Sequence, residues 1–156
     1  MKAAWFLVPA LFLVATPALA APPTPDEVNR VMEYFNTGAA DGPILLELTP
    51  CLKVGKKEGE ERMSCLEPVS GAVKKKTVVN AWTRWFVPKD GKYEDLSFQF
   101  LLGGEPRETK DLSLEKGSTT GNGAYKAATL GKAGEWEIKV RRGDKVLATT
   151  KVTVTE

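Results

Sequence analysis

From Gly134 to Glu156 the chain reads G-E-W-E-I-K-V-R-R-G-D-K-V-L-A-T-T-K-V-T-V-T-E. Trp136, Ile138 and Val140 alternate with Glu137, Lys139 and Arg141 until Gly143-Asp144 interrupts, and Val146, Ala148, Thr150, Val152 and Val154 resume the alternation. A period of two puts such residues on one face of a strand, and Gly-Asp between two such runs is a β-hairpin signature. Parity then constrains the turn. A two-residue Gly143-Asp144 loop would place Trp136, Ile138 and Val140 on the face that carries Leu147, Thr149 and Lys151, mixing core with solvent. A three-residue loop over Arg142-Gly143-Asp144, or a bulge, instead aligns Val140 with Val146, Ile138 with Ala148 and Trp136 with Thr150. We therefore expect the odd loop or the bulge, and not a clean turn that pairs Arg142 with Lys145.

The whole chain, 156 residues with 42% apolar content, is the length of one domain and supports one sizeable core. Its formal net charge is +2, and one of the positive charges, Lys2, lies in the N-terminal leader. No excess of positive charge remains to draw in nucleic acid or an anionic membrane. Histidine is absent. Its absence excludes Ser-His-Asp and Cys-His catalysis and His-ligated metal sites.

Met1 to Ala20 has a charged start at Lys2, an apolar run from Ala3 to Ala15, and the small residues Ala18 and Ala20 at the two specificity positions of a signal-peptidase site. It reads as a cleaved secretory signal peptide, with the mature chain starting at Ala21. The apolar run is too short for a membrane anchor; it contains Pro9, and Pro17 follows just beyond it. No cysteine stands at the cleavage site, so there is no lipobox, and nothing later is apolar for long enough to span a bilayer. A periplasmic or secreted protein without a transmembrane segment is expected.

Residues 21–42 form a second unit. Ala21-Pro22-Pro23 is a stiff leader. Thr24-Pro25-Asp26-Glu27 then supplies an N-cap hydroxyl, a proline at the first helical position and a capping-box glutamate. Val28, Val31, Met32 and Phe35 recur at helical spacing before Gly38, which predicts one amphipathic helix over Pro25–Thr37. Its polar face, Asp26, Glu27, Asn29, Arg30 and Glu33, is not basic. The stripe is therefore expected to pack on the domain and not on a membrane surface.

From residue 43 to 156 everything reads as strand and turn. Ile44, Leu46 and Leu48 are placed on one side of a strand, with Glu47 and Thr49 on the other. Cys51 and Cys65 flank the polar stretch Gly55 to Glu61 symmetrically, as cross-strand partners in a hairpin would, and export favours their oxidation. A disulfide closing a loop of that size contributes about 3 kcal/mol in the chain-entropy model. A redox or metal pair is disfavoured because the spacing is not C-x-x-C. Lys74-Lys75-Lys76 reads as a solvated edge that discourages sheet association.

Thr77 to Val87 and Tyr93 to Leu102 are expected as strands joined across Pro88-Lys89-Asp90-Gly91-Lys92. In that hairpin Trp85 would face Leu96, Thr83 Phe98, Ala81 Phe100 and Val79 Leu102. The other face would carry Asn80, Trp82, Arg84 and Phe86 beside Asp95, Ser97, Gln99 and Leu101. Two large aromatics there need a cover or a use. The N-terminal helix could cover them through Val31, Met32 and Phe35. Alternatively Trp82 and Phe86 form a platform that stacks a sugar or peptide, with Arg84 pairing an anion.

A further short strand is marked by Leu112 and Leu114, and another by Tyr125 to Leu130. The loop between them, Lys116 to Gly123, lacks the G-K-[ST] ending of a phosphate-binding loop, and no nucleophile elbow is present. Glu94-Asp95 point to opposite faces of a strand, and Glu135 and Glu137 alternate with core residues, so neither pair is a catalytic dyad.

Seven or eight short strands, polar turns and one disulfide indicate a mainly β protein, an antiparallel β-sandwich preceded by one helix. G-E-W-E-I-K-V followed by K-V-L-A-T-T-K-V-T-V resembles the last two strands of bacterial exported immunoglobulin-like domains, and V-N-A-W-T-R-W-F-V-P resembles a mid-domain strand of the same group. The resemblance implies an immunoglobulin-like sandwich and transfers no catalytic residue. The early, closely spaced cysteines depart from the inter-sheet bridge of antibody domains. The expectation is an exported non-enzymatic binding or assembly module, an accessory or structural component of a bacterial envelope or surface complex, without cofactor or metal. Its partner would be another envelope or surface protein. The alternative is carbohydrate or small-ligand binding around Trp82, Arg84 and Phe86.

Overall fold

The computed structural model describes residues 24–37, 42–55, 63–88, 91–115 and 122–156. The expected signal peptide (1–20), the leader Ala21 to Pro23, the Gly38 helix stop, the polar loop beyond Gly55, the Asp90 turn position and the stretch 116–121 lie outside the described residues. One helix, α1 (Pro25–Thr37), precedes nine strands: β1 (Ile44–Val54), β2 (Cys65–Pro68), β3 (Val73–Lys74), β4 (Thr77–Phe86), β5 (Lys92–Leu102), β6 (Glu105–Glu115), β7 (Asn122–Leu130), β8 (Gly134–Arg142) and β9 (Lys145–Thr155). The helix has the predicted bounds, and the Val28 N–H donates to the Thr24 carbonyl at its start (3.0 Å).

The strands form two sheets, in the orders β2-β1-β4-β7 and β3-β9-β8-β5-β6. All pairings are antiparallel except β3 with β9. The chain changes sheet after β2, β3, β4, β6 and β7. Strands β1, β4 and β7 thus stand in the A-B-E order, and β5, β8 and β9 in the C-F-G order, of an immunoglobulin-like sandwich. Between the sheets the alternating positions supply the core. Val79, Ala81 and Trp85 come from β4, Leu96, Phe98 and Phe100 from β5, Ile138 and Val140 from β8, and Val152 and Val154 from β9.

At the centre of this core lies a polar chain. The indole N–H of Trp85 donates to the Thr83 hydroxyl (2.7 Å), which itself donates to the Ala124 carbonyl of β7 (2.9 Å). Both side chains are fully buried, and each donor would cost free energy if left unpaired there.

Several expectations are corrected. Strands β4 and β5 do not form a hairpin, because they belong to different sheets. Their apolar faces do join one core, but across the sandwich and not side by side. The inner faces of two packed sheets carry the same alternation, so the pattern identifies the face and leaves the neighbour open. The hairpin partner of β5 is β6, through Gly103-Gly104 with φ of +63° and +83°. Two successive positive values are what a type I′ turn requires and glycine permits. Strand β6 runs through Glu105–Glu115, well beyond the short strand expected from Leu112 and Leu114; its charged residues hid it.

In β1 a bulge between Leu45 and Glu47 splits the expected apolar face, while Leu48 stays on the core side and Glu47 and Thr49 on the other, as expected. Ile44 lies opposite Phe86 on the outer side, and Leu45, Leu48 and Leu52 pack on the core. The closing hairpin combines both options weighed above. Gly143-Asp144 forms a two-residue turn that pairs Arg142 with Lys145, and a register shift between Val140 and Arg141 restores the parity. The expected three-residue loop is absent, and the partners sit two residues further on: Val140 with Ala148, Ile138 with Thr150 and Trp136 with Val152. The turn itself is anchored, since the Gly143 N–H donates to the Asp95 carbonyl (2.8 Å).

Replacing Thr83 by valine keeps the shape but strands the Trp85 indole N–H. Urea unfolding of Thr83→Val is expected to show a loss of about 1–3 kcal/mol, while Thr83→Ser stays within about 1 kcal/mol of wild type.

Candidate functional site

The outer face of the first sheet is built by β4 between β1 and β7. Asn80, Trp82, Arg84 and Phe86 alternate with the core residues of β4, so they point away from the second sheet. Register places Cys51 beside Asn80, Thr49 beside Trp82, Glu47 beside Arg84 and Ile44 beside Phe86 on one side. On the other side Tyr125 stands beside Trp82 and Gly123 beside Arg84. Asp95, Ser97, Gln99 and Leu101, expected alongside, belong instead to the second sheet.

Each member of this row has a local partner. The Asn80 Nδ2 donates to the Cys51 carbonyl (3.0 Å). Arg84 Nε lies 3.4 Å from Glu47 Oε2, and the same carboxylate accepts the Thr49 hydroxyl through Oε1 (3.0 Å). The Trp82 indole N–H donates to the Met63 carbonyl (2.5 Å). Phe86 meets the edge of the Phe35 ring from α1, at a centroid distance of 5.8 Å and an interplanar angle of 61°.

Met63 was missed in the sequence, and its position follows from the disulfide. Cys51 and Cys65 are joined, with their Cα atoms 5.9 Å apart. They are not direct cross-strand partners: Cys51 lies opposite Pro68 and Cys65 opposite Val54, owing to two register shifts. The Gly55 N–H donates to the Ser64 carbonyl (2.8 Å), so the chain returning to Cys65 passes over the face. Its Met63 carbonyl comes so close to Gly123 that a Cβ at that position would collide with it.

Trp82 is therefore only 8% exposed and Phe86 only 2%. Stacking a sugar requires an open ring face, and neither ring offers one in this arrangement. The helix contributes as expected at Phe35, but most of its apolar stripe remains outside. Val28 is 43%, Met32 52% and Phe35 59% exposed, while Val31 is half-buried.

Beside α1 a cleft of about 650 Å³ is lined by Arg30, Glu33, Gly42, Asp95, Arg142 and Lys145, among others. Arg142 crosses it, with Nε 2.8 Å from Asp95 Oδ2 and its guanidinium 5.6 Å from the centroid of the Tyr93 ring. Its walls mix both signs of charge. The carboxylates weighed as an acid pair are engaged at the surface: Glu94 with Lys92 (2.7 Å), Asp95 with Arg142, Glu135 with Lys151 (2.7 Å) and Glu137 with Lys139 (3.0 Å). The hydrogen bond that Lys92 donates to Glu94, then the charge of that carboxylate, raises the Lys92 pKa above the usual lysine value, and Glu135 does the same for Lys151. No group of three or more metal-ligating side chains is found among the described residues. Nor does any helix there have the length and apolar character to cross a membrane.

No protein-family model matches the chain, and no curated protein matches it by sequence. Solved structures with a similar course include an immunoglobulin-like protein of Pseudomonas aeruginosa, at 15% identity and TM-score 0.46, over 76% of this chain and 100% of that one. A lipoprotein candidate of Bacillus anthracis has 16% identity and TM-score 0.34, over 56% of this chain and 70% of that one. The fold assignment made above rests on the strand order itself.

Trp82→Ala is expected to lower stability by about 3–5 kcal/mol in urea unfolding, because it removes a packed ring and leaves a cavity. A change within about 0.5 kcal/mol would mean that the ring is not part of the packing.

Proposed function

We propose that this chain is an exported, non-enzymatic binding or assembly module, an accessory or structural component of a bacterial envelope or surface complex. Its first twenty residues direct export and are removed before Ala21. Residues 21–42 are a Pro-rich leader and amphipathic helix, and residues 43–156 the sandwich domain. The observation that carries this reading is the apolar stripe of α1. Val28, Met32 and Phe35 stand exposed on a helix that meets the sandwich with Phe35 against Phe86. A stripe at helical spacing that the molecule's own core leaves uncovered is the kind of surface through which an amphipathic helix docks on a partner groove. The absence of histidine removes the commonest general base, and the acidic polar side of the helix argues against an anionic membrane as its counterpart.

A photocrosslinking residue placed at Met32 in the native envelope tests this. Adducts with a specific envelope or surface protein are expected from Met32, none are expected from the same probe at Thr109 on the opposite sheet, and Phe35→Glu should abolish the adducts. N-terminal sequencing of the recovered protein should read from Ala21. Equal crosslinking at both positions, or none at Met32, would overturn the proposal.

A further inference from the structure

The two sheets end in four border strands, β2 and β7 in one and β3 and β6 in the other. A border strand presents unpaired backbone N–H and C=O groups, and proteins blunt such edges with prolines, charges, bulges or brevity. Three of the four are blunted here. Strand β2 has four residues, two register shifts and Pro68. Strand β3 has two residues and runs into Lys75 and Lys76. Strand β6 contains Pro106 and the charged residues Glu105, Arg107, Glu108, Lys110, Asp111 and Glu115, with two register shifts against β5.

Strand β7 carries only one of these devices, a single charge. It pairs with β4 through nine consecutive positions without a shift, contains no proline, and carries one charged residue, Lys126. Ala124, Ala127 and Ala128 keep its profile low. No strand among the described residues borders its outer side. A crevice of about 230 Å³ runs beside it, lined by Val78, Ala127, Ala128 and Thr129 and, from β6, Glu108 and Lys110.

The charge beside this edge is specific. Lys126 lies opposite the fully buried Ala81, so it is on the inward side of the sheet with Ala124 and Ala128. It is half-buried and has no ion pair or side-chain hydrogen bond among the described residues. The cation that lines the crevice, Lys110, is already neutralised by Glu108 at 2.9 Å. An inward-pointing lysine at an edge rejects an all-apolar strand, and pairing β7 with β7 of a second copy would bring two such lysines together. A strand with a carboxylate at the facing position meets neither objection.

We infer that the β7 edge accepts an extended segment of another protein by strand addition, with an acidic residue on the inward side next to Lys126 and small or apolar residues on the outer side beside Tyr125, Ala127 and Thr129. This inference rests on the reading of the chain as a binding module and names a second surface of it. The main-chain hydrogen bonds supply the attachment, and the single half-buried charge supplies the selection.

The test uses a synthetic peptide of alternating threonine and valine with one central glutamate and two terminal lysines for solubility, titrated into the purified, isotope-labelled chain. Saturable binding is expected below about 1 mM, with slowed amide exchange confined to the outward-facing amides of β7. Exchanging the central glutamate for lysine should weaken binding by about tenfold, and Lys126→Glu should reverse that preference. The inference falls if no peptide binds, if protection appears on β6 or α1 instead, or if both peptides bind equally. It also falls if sedimentation shows a β7-paired homodimer that Lys126→Glu alters. Should the peptides fail while the Met32 adducts persist, the binding-module reading stands and the edge assignment alone is lost.

Discussion

The sandwich closes over a tryptophan whose polar atom has one route to satisfaction. Trp85 is fully buried, its N–H reaches Thr83, and the Thr83 hydroxyl hands the remaining hydrogen bond to the Ala124 carbonyl on the neighbouring strand. The short relay lets a large ring fill the space between the sheets without leaving an unpaired donor in an apolar medium. It also ties β4 to β7 by a side-chain bond in addition to the backbone ladder. Around it the inner faces of β5 and β8 bring Leu96, Phe98, Phe100, Ile138 and Val140, all close to zero exposure.

Strand β4 is unusual in being buried on both faces. Its inner side meets the second sheet, and its outer side is closed by three separate pieces: the Glu47 carboxylate on Arg84, the Met63 carbonyl on Trp82 and the Phe35 ring on Phe86. The disulfide organises the second of these, because it ties the returning chain to Cys51 next to the outer face. The two surfaces proposed for partners therefore lie at the periphery. What stays open is the stripe of α1 and the outer edge of β7, two surfaces that the packing of β4 leaves in solvent.

Much of this architecture was legible in the residues. The helix bounds follow from the capping residues and a 3.6-residue period, which are local and leave little choice. The inner faces of β4, β5, β8 and β9 follow from alternation, and the joining of Cys51 to Cys65 from their spacing and the expected export. The outward-facing aromatic row of β4 needs a cover, and Phe35 supplies part of it. The charged strand β6 was foreshortened because Glu, Lys and Asp have low strand preference, although the Gly103-Gly104 turn was available as a signal.

By itself, then, the sequence determined the inner faces of β4, β5, β8 and β9, the helix and the parity problem in the closing hairpin, because these depend on periods of two and 3.6 within a few residues. Only the tertiary structure decided which strands are neighbours. Alternation is identical for a strand beside β4 and a strand across from it, so the assignment of β5 to the other sheet had to come from how two sheets close on one core. The same holds for Met63 over Trp82 and for the bare edge of β7. Both arise where segments distant in the chain meet, and no local pattern records which of them will.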